Sequence, residues 1–204
     1  MYVPKYNQLE DRAALLAYMR AHSFAALATS GPGGLAATHL PFVIDDEGGR
    51  ITLLAHMAKA NPQWRDFAAG TEALVIFMQP HAYVSPRLYD KRQNVPTWNY
   101  VAVHAYGRPV LIEERADKLA LQQKLIRLHD VGYHAQLAEL PASYVDAKLA
   151  AIVSFSLVAT RIDARYKLSQ DKNPAERERI ARELEASGDS MAAETARLMR
   201  KHNS

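Results

Sequence analysis

The chain has no cysteine among its 204 residues. That removes disulfides, thiolate metal sites, iron–sulfur clusters and a cysteine nucleophile, and it fits a reducing compartment. Long apolar spans are missing as well. The uncharged stretch Leu149–Thr160 is too short to cross a bilayer, and the opening MYVPKYNQLEDR lacks the apolar run of a secretory signal. A soluble, cytoplasmic protein is expected. No block of one charge sign occurs either. The formal net charge is only +3, from 25 Lys+Arg against 22 Asp+Glu, and the two signs are interspersed, so composition advertises no nucleic-acid footprint. The patterns G-x-x-x-x-G-K-S/T and G-x-G-x-x-G are absent, which excludes a phosphate loop and a dinucleotide fingerprint. No serine stands in G-x-S-x-G and no histidines have H-E-x-x-H spacing, so no catalytic residue and no metal set is assigned.

What is there reads as an ordinary folded chain, 49% hydrophobic and 23% charged. A first helix is expected over Gln8–Ala21, with Asn7 as cap, Glu10 in capping-box position and Leu9, Ala13, Leu16 and Met19 on one face. Strands follow at Phe24–Thr29, Ala36–Ile44 and Arg50–His56, separated by glycine-rich turns too short for parallel crossovers, hence an antiparallel meander. Asn61-Pro62 opens a short helix closed by Gly70. Ala73–Met78 is nearly all apolar, as for a strand buried on both faces. Trp98–Tyr106 alternates, with Trp98, Tyr100, Ala102, His104 and Tyr106 sharing a face. Val110–Ile112, Ile152–Val158 and Arg161–Leu168 complete the strands; Ala116–His129 and Tyr144–Leu149 read as helices. A helical pair, Pro174–Ser187 and Met191–Lys201, closes the chain around Gly188. The expectation is a mainly β, α+β protein built on a barrel, with peripheral helices. Residues 1–173 would form the barrel domain and 174–204 a helical hairpin packed on it or on a partner. Read as a helix-turn-helix, that hairpin fails: Leu184 stands where a small residue is usual and Glu194 where a buried aliphatic is usual.

The densest chemistry lies in Ala55–Tyr100, where histidines, tryptophans, tyrosines and prolines crowd around Lys59 and a helix-start signal. Flat aromatic surface beside a cation suits a planar anionic ligand. The motifs THLPF (38–42), AHMAKANPQW (55–64), FMQPHAYVSPRLY (77–89), VPTWNYVAVHAYG (95–107) and RYKLSQDKN (165–173) together resemble the PaiB family. Its members are small bacterial proteins described as FMN-binding negative transcriptional regulators. The resemblance implies an FMN-binding split β-barrel and a homodimer with flavin at the subunit interface. It also implies a repressor whose contact with DNA is direct or through another protein. The same scaffold carries flavin oxidoreductases of the pyridoxamine-phosphate-oxidase and flavin-reductase kinds, and haem-binding proteins, and these are the alternative readings.

The resemblance also assigns residues. Lys59 would contact the flavin phosphate, with Ala55 and His56 at the preceding strand end and Asn61 opening the helix; otherwise Lys59 is a solvated surface lysine. Thr38, His39, Leu40 and Pro41 would run along the flavin ring edge, or else simply form two faces of a barrel strand. Trp98 and Tyr100 are expected in the interface core before direct ring contact. Lys167 and Gln170 would approach the partner's flavin, although Asp171 replaces an asparagine common in the family and makes that loop less positive.

Overall fold

The computed structural model describes residues 1–202. Its elements in chain order are α1 (Arg12–Ala21), β1 (Phe24–Gly31), β2 (Gly34–Pro41), β3 (Val43–Glu47), β4 (Arg50–Ala58), β5 (Ala73–Val84), β6 (Thr97–Gly107), β7 (Pro109–Ile112), α2 (Arg115–His129), α3 (Val131–Glu139), α4 (Ala142–Ala150), β8 (Ile152–Val158), β9 (Arg161–Lys167), α5 (Pro174–Ala186) and α6 (Ser190–His202). The strands form two antiparallel sheets, one ordered β2-β1-β5-β6-β9 and the other β3-β4-β8-β7. Two compact units are present. Residues 19–76 and 105–162 make one; residues 1–18, 77–104 and those from 163 onward make the other.

The unit of residues 19–76 and 105–162 starts from a hairpin. β1 and β2 pair in register from Phe24↔Pro41 to Gly31↔Gly34. The expected strand Ala36–Ile44 does not continue as one. The Phe42 N–H still bonds to the Ser23 carbonyl at 2.9 Å as the last rung beside β1, while Pro41 stands on the open edge of β2, and from Val43 the chain pairs with β4 instead. β3 therefore begins the second sheet, and the expected meander is two hairpins rather than one run. Gly48 and Gly49, at φ 56° and 80°, make the tight β3–β4 turn, which needs positive φ at both positions. β4 then pairs with β8, and β8 with β7.

Alternation sorts the side chains of β4. Ile51, Leu53, Ala55 and Met57 are buried on one face. Phe155 meets Phe42 edge-on at 6.3 Å and Phe67 at 5.0 Å, giving this core an aromatic centre. On the other face Leu54 and Ile112 pack against Val43 and against Leu121 and Leu125 of α2. Gly107 has a steric cause: a Cβ there would lie 2.3 Å from the Val158 carbonyl oxygen. The helix α3 was not expected from the sequence. Asp130 starts it by accepting from the Tyr133 N–H at 3.0 Å, but the segment buries no residue, so it carries no apolar stripe to read.

In the other unit, α1 begins later than its spacing predicts. Asp11 accepts from the N–H groups of Ala13 and Ala14 at 2.8 and 3.2 Å, taking the capping role expected of Asn7. Asn7 is instead buried and donates to the Gln170 side chain at 3.0 Å. Tyr18 is buried and doubly bonded: its hydroxyl donates to the Val101 carbonyl at 3.2 Å and accepts from the Gln79 N–H at 3.1 Å. β5 runs on past Met78 to Val84. Its Ala73, Val75 and Phe77 are buried while Leu74 and Ile76 are half-buried, so it alternates instead of being covered on both faces. The α5–α6 pair is secured by a full capping box, Asn173 with Glu176. The spare Glu176 oxygen capacity goes to the Asp90 N–H at 2.9 Å.

Candidate functional site

Eight of the sequence-assigned residues fall in the unit of residues 19–76 and 105–162, and a polar cluster ties several of them together. The Thr38 hydroxyl donates to Gln63 Oε1 at 2.5 Å and accepts from Asn61 Nδ2 at 2.9 Å. Asn61 Oδ1 in turn accepts from the Gln63 N–H at 3.0 Å, capping a 3-10 turn over Pro62–Ala69. Gln63 is the hub. Its amide also donates to the Leu27 and Ala36 carbonyls and to the Thr29 hydroxyl, at 3.0, 3.2 and 3.1 Å. Buried polar groups so fully satisfied hold one geometry. Sequence reasoning missed Gln63; its signal was its place two residues after the Asn61 cap.

Just before this turn, Lys59 has its backbone held at both ends. Its N–H donates to the Ala151 carbonyl at 2.9 Å and its carbonyl accepts from Trp64 Nε1 at 3.1 Å. The side chain is exposed, and among the described residues its ammonium has no partner. A fixed backbone with a free cation can meet an anion at small ordering cost. Ala55 is fully buried in the core beneath. His56 lies on the opposite face, half-buried, with Nδ1 3.2 Å from the Gln122 amide; burial lowers its pKa from the usual imidazole value. Ser154 pairs with His56 on the neighbouring strand, and its buried hydroxyl has no partner among the described residues. Along β2, His39 is exposed and stacks on Phe24 at 6.1 Å, Leu40 is buried and Pro41 half-buried.

The remaining four residues lie in the unit that contains α5 and α6. Trp98 is 51% exposed, and with Tyr100, Met78 and His81 it lines an apolar cavity of about 480 Å³. His81 and Tyr83 approach Trp98 edge-on at 5.7 and 6.0 Å. The expected strand ended at Met78, so the sequence reading did not place His81 and Tyr83 beside Trp98. The Lys167 ammonium donates to the Trp98 carbonyl at 2.9 Å and to the Thr97 hydroxyl. Partial burial, then the nearby Arg165 charge, lowers its pKa. Gln170 is already committed, accepting from the Leu168 N–H at 2.7 Å in its own loop and from the distant Asn7. Beside it Ser169 holds φ 61° and exchanges hydrogen bonds of 2.9 and 3.1 Å with the fully buried Asn99. Among the described residues no cluster of three or more His, Cys, Asp or Glu could hold a metal. None of their helices is long and apolar enough to cross a membrane.

Within the unit of residues 19–76 and 105–162, the exposed Lys59 ammonium, without a partner among the described residues, offers the charge that a flavin's phosphate would need. Comparison with known proteins gives the family and the fold. Residues 1–161 match the family described as "Putative FMN-binding domain". The chain is 34% identical over 203 residues to "Protease synthase and sporulation protein PAI 2" of Bacillus subtilis, covering 98% of this chain and 96% of that one. Two solved structures share the fold. The flavocytochrome Anf3 from Azotobacter vinelandii matches with a TM-score of 0.64 at 17% identity, over 81% of this chain and 72% of its own. The FAD and heme binding protein from Mycobacterium smegmatis matches with a TM-score of 0.62 at 20% identity, over 84% and 78%. The fold is thus the split β-barrel of flavoproteins, and FMN is the cofactor to which the family points. By length of match and by identity, this chain belongs to the PaiB family of FMN-binding-domain proteins.

Proposed function

We propose that the protein is a homodimeric, FMN-binding negative regulator of transcription. The observation that carries the flavin part is the exposed Lys59 ammonium, unpartnered among the described residues, on a backbone held by Ala151 and Trp64, next to the Thr38–Gln63–Asn61 cluster. In this reading Lys59 binds the phosphate. Thr38, His39, Leu40 and Pro41 follow the ring edge, Ala55 and His56 support the strand end, and Asn61 holds the turn. Trp98 and Tyr100 supply interface surface, and Lys167 with Gln170 shapes the loop beside it. FMN, when bound, supplies a redox-active ring. The chain's own residues would hold its tail and shield its faces.

The regulatory part draws support from the Bacillus relative, whose name ties it to protease synthesis and sporulation. The α5–α6 hairpin is poorly suited to grip DNA itself, because three of its arginines are paired within it. Arg200 pairs with Glu178 and Glu185, Arg182 with Glu178, and Arg197 with Glu194. Repression through a protein partner or through another face of the dimer follows from that.

Titrating the apoprotein with FMN and with riboflavin tests the phosphate assignment. Lys59→Ala is expected to weaken FMN binding by about 1.5–3 kcal/mol, the worth of a charge-assisted hydrogen bond, and to leave riboflavin binding unchanged. Unchanged FMN affinity removes Lys59 from the site. Rapid bleaching of bound flavin by NADH or NADPH, with turnover, would replace the regulator by an oxidoreductase.

A further inference from the structure

A second concave site lies in the unit of residues 19–76 and 105–162, and none of its lining residues is among those assigned to flavin. Phe42, Val43, Ile44 and Leu128 form its apolar walls, around a volume of about 390 Å³. Arg20 from the end of α1 and Lys124 and Arg127 from the last turns of α2 stand around it, with Asp45 as the one acid. The charges are only partly spent. Lys124 and Asp45 neutralise each other at 2.5 Å. Arg20 uses Nε on the Ile44 carbonyl at 3.3 Å, and Arg127 uses Nε on His134 Nε2 at 2.9 Å. The Nη ends of both guanidinium groups have no partner among the described residues.

Two guanidinium groups, each oriented by one bond and each with its fork unfilled, bring two uncompensated positive charges to an apolar hollow. A concave wall of low polarability focuses that field. Planar forks match the oxygens of a phosphate or carboxylate better than they match a chloride ion. The volume lies in the range of small-molecule sites and is far too small for a duplex. We propose that this cleft binds a small organic dianion, of the phosphomonoester type, whose apolar body rests on Phe42–Ile44 and Leu128 and whose charged head bridges Arg20 and Arg127. This is independent of the flavin reading. In a regulator such a ligand would act as an effector, since it joins α1, the β2–β3 link and α2.

Isothermal titration of the full chain with phenyl phosphate tests the proposal, with phenol as the uncharged control. It is run on wild type, Arg20→Met, Arg127→Met and Lys59→Ala. Saturable binding is expected in wild type, at least tenfold tighter than for phenol. Each arginine variant should lose tenfold or more, while Lys59→Ala keeps wild-type affinity. Absence of saturable binding overturns the proposal. So does binding that survives both arginine changes but disappears in Lys59→Ala, which places the anion at the flavin phosphate position. Arg127 is exposed and its variant is decisive should Arg20→Met fail to fold.

Discussion

At the scale of single residues, Tyr18 shows why a buried hydroxyl is costly to remove. It satisfies the Val101 carbonyl and the Gln79 N–H together, and it packs edge-on against Tyr166 at 5.6 Å. Tyr18→Phe keeps the ring but strands both backbone groups. A loss of about 1–3 kcal/mol is expected in urea unfolding, with an unchanged m-value. His56 makes a different prediction. Burial depresses its folded pKa below the ordinary 6.5, so the unfolded chain binds more protons in the window just below that value. Stability should then fall as pH drops through 6.5 towards the folded pKa, and flatten below it. His56→Gln should show a shallower fall over that window in melts recorded from pH 7.5 to 5. A ring titration by NMR with a midpoint at or above 6.5 would refute the assignment.

At the scale of elements, local chemistry decides the ends. The α5 start was legible because Asn173, Pro174 and Glu176 occupy the cap, first-turn and capping-box positions, and all three act as their types suggest. Asn173→Ala should cost about 0.5–2 kcal/mol in denaturant unfolding, raised towards the upper end because Asn173 also donates to Asp90 at 2.9 Å. The α1 start misled. Asn7 and Glu10 carry the same signature, yet Asp11 caps the helix while Asn7 turns inward to Gln170. A partner 163 residues away in sequence settles that choice, and no local pattern can express it. The split of β2 from β3 is intermediate. Pro41 was visible as an edge or a break in pairing, but that the chain changes sheets there depends on Val43 pairing with Leu54 of β4, a partner outside the local pattern.

At the scale of the whole molecule, surface that no part of the chain covers becomes informative. Met78, Tyr83 and Trp98 are each about half exposed on neighbouring strands, and large apolar side chains gathered in this way mark interaction surfaces. If a second copy covers them, Trp98→Glu should convert a dimer to a monomer in sedimentation velocity and leave far-UV circular dichroism unchanged. A wild-type protein that sediments as a monomer at tens of micromolar removes the homodimer.

Much of this protein was determined by sequence alone. The strands and most helices follow from side-chain period, capping residues and turn glycines, each of which acts over a few neighbours. The PaiB membership follows from motifs kept in order along the chain. Only the tertiary structure decided which faces of those elements meet. It seats Gln63 as the hub under Thr38 and Asn61, leaves Lys59 without a partner among the described residues while committing Gln170, and draws Arg20 and Arg127 to one hollow. The reason is physical: a side chain's charge and shape are local properties, whereas its hydrogen-bond partners and burial are set by residues distant in sequence.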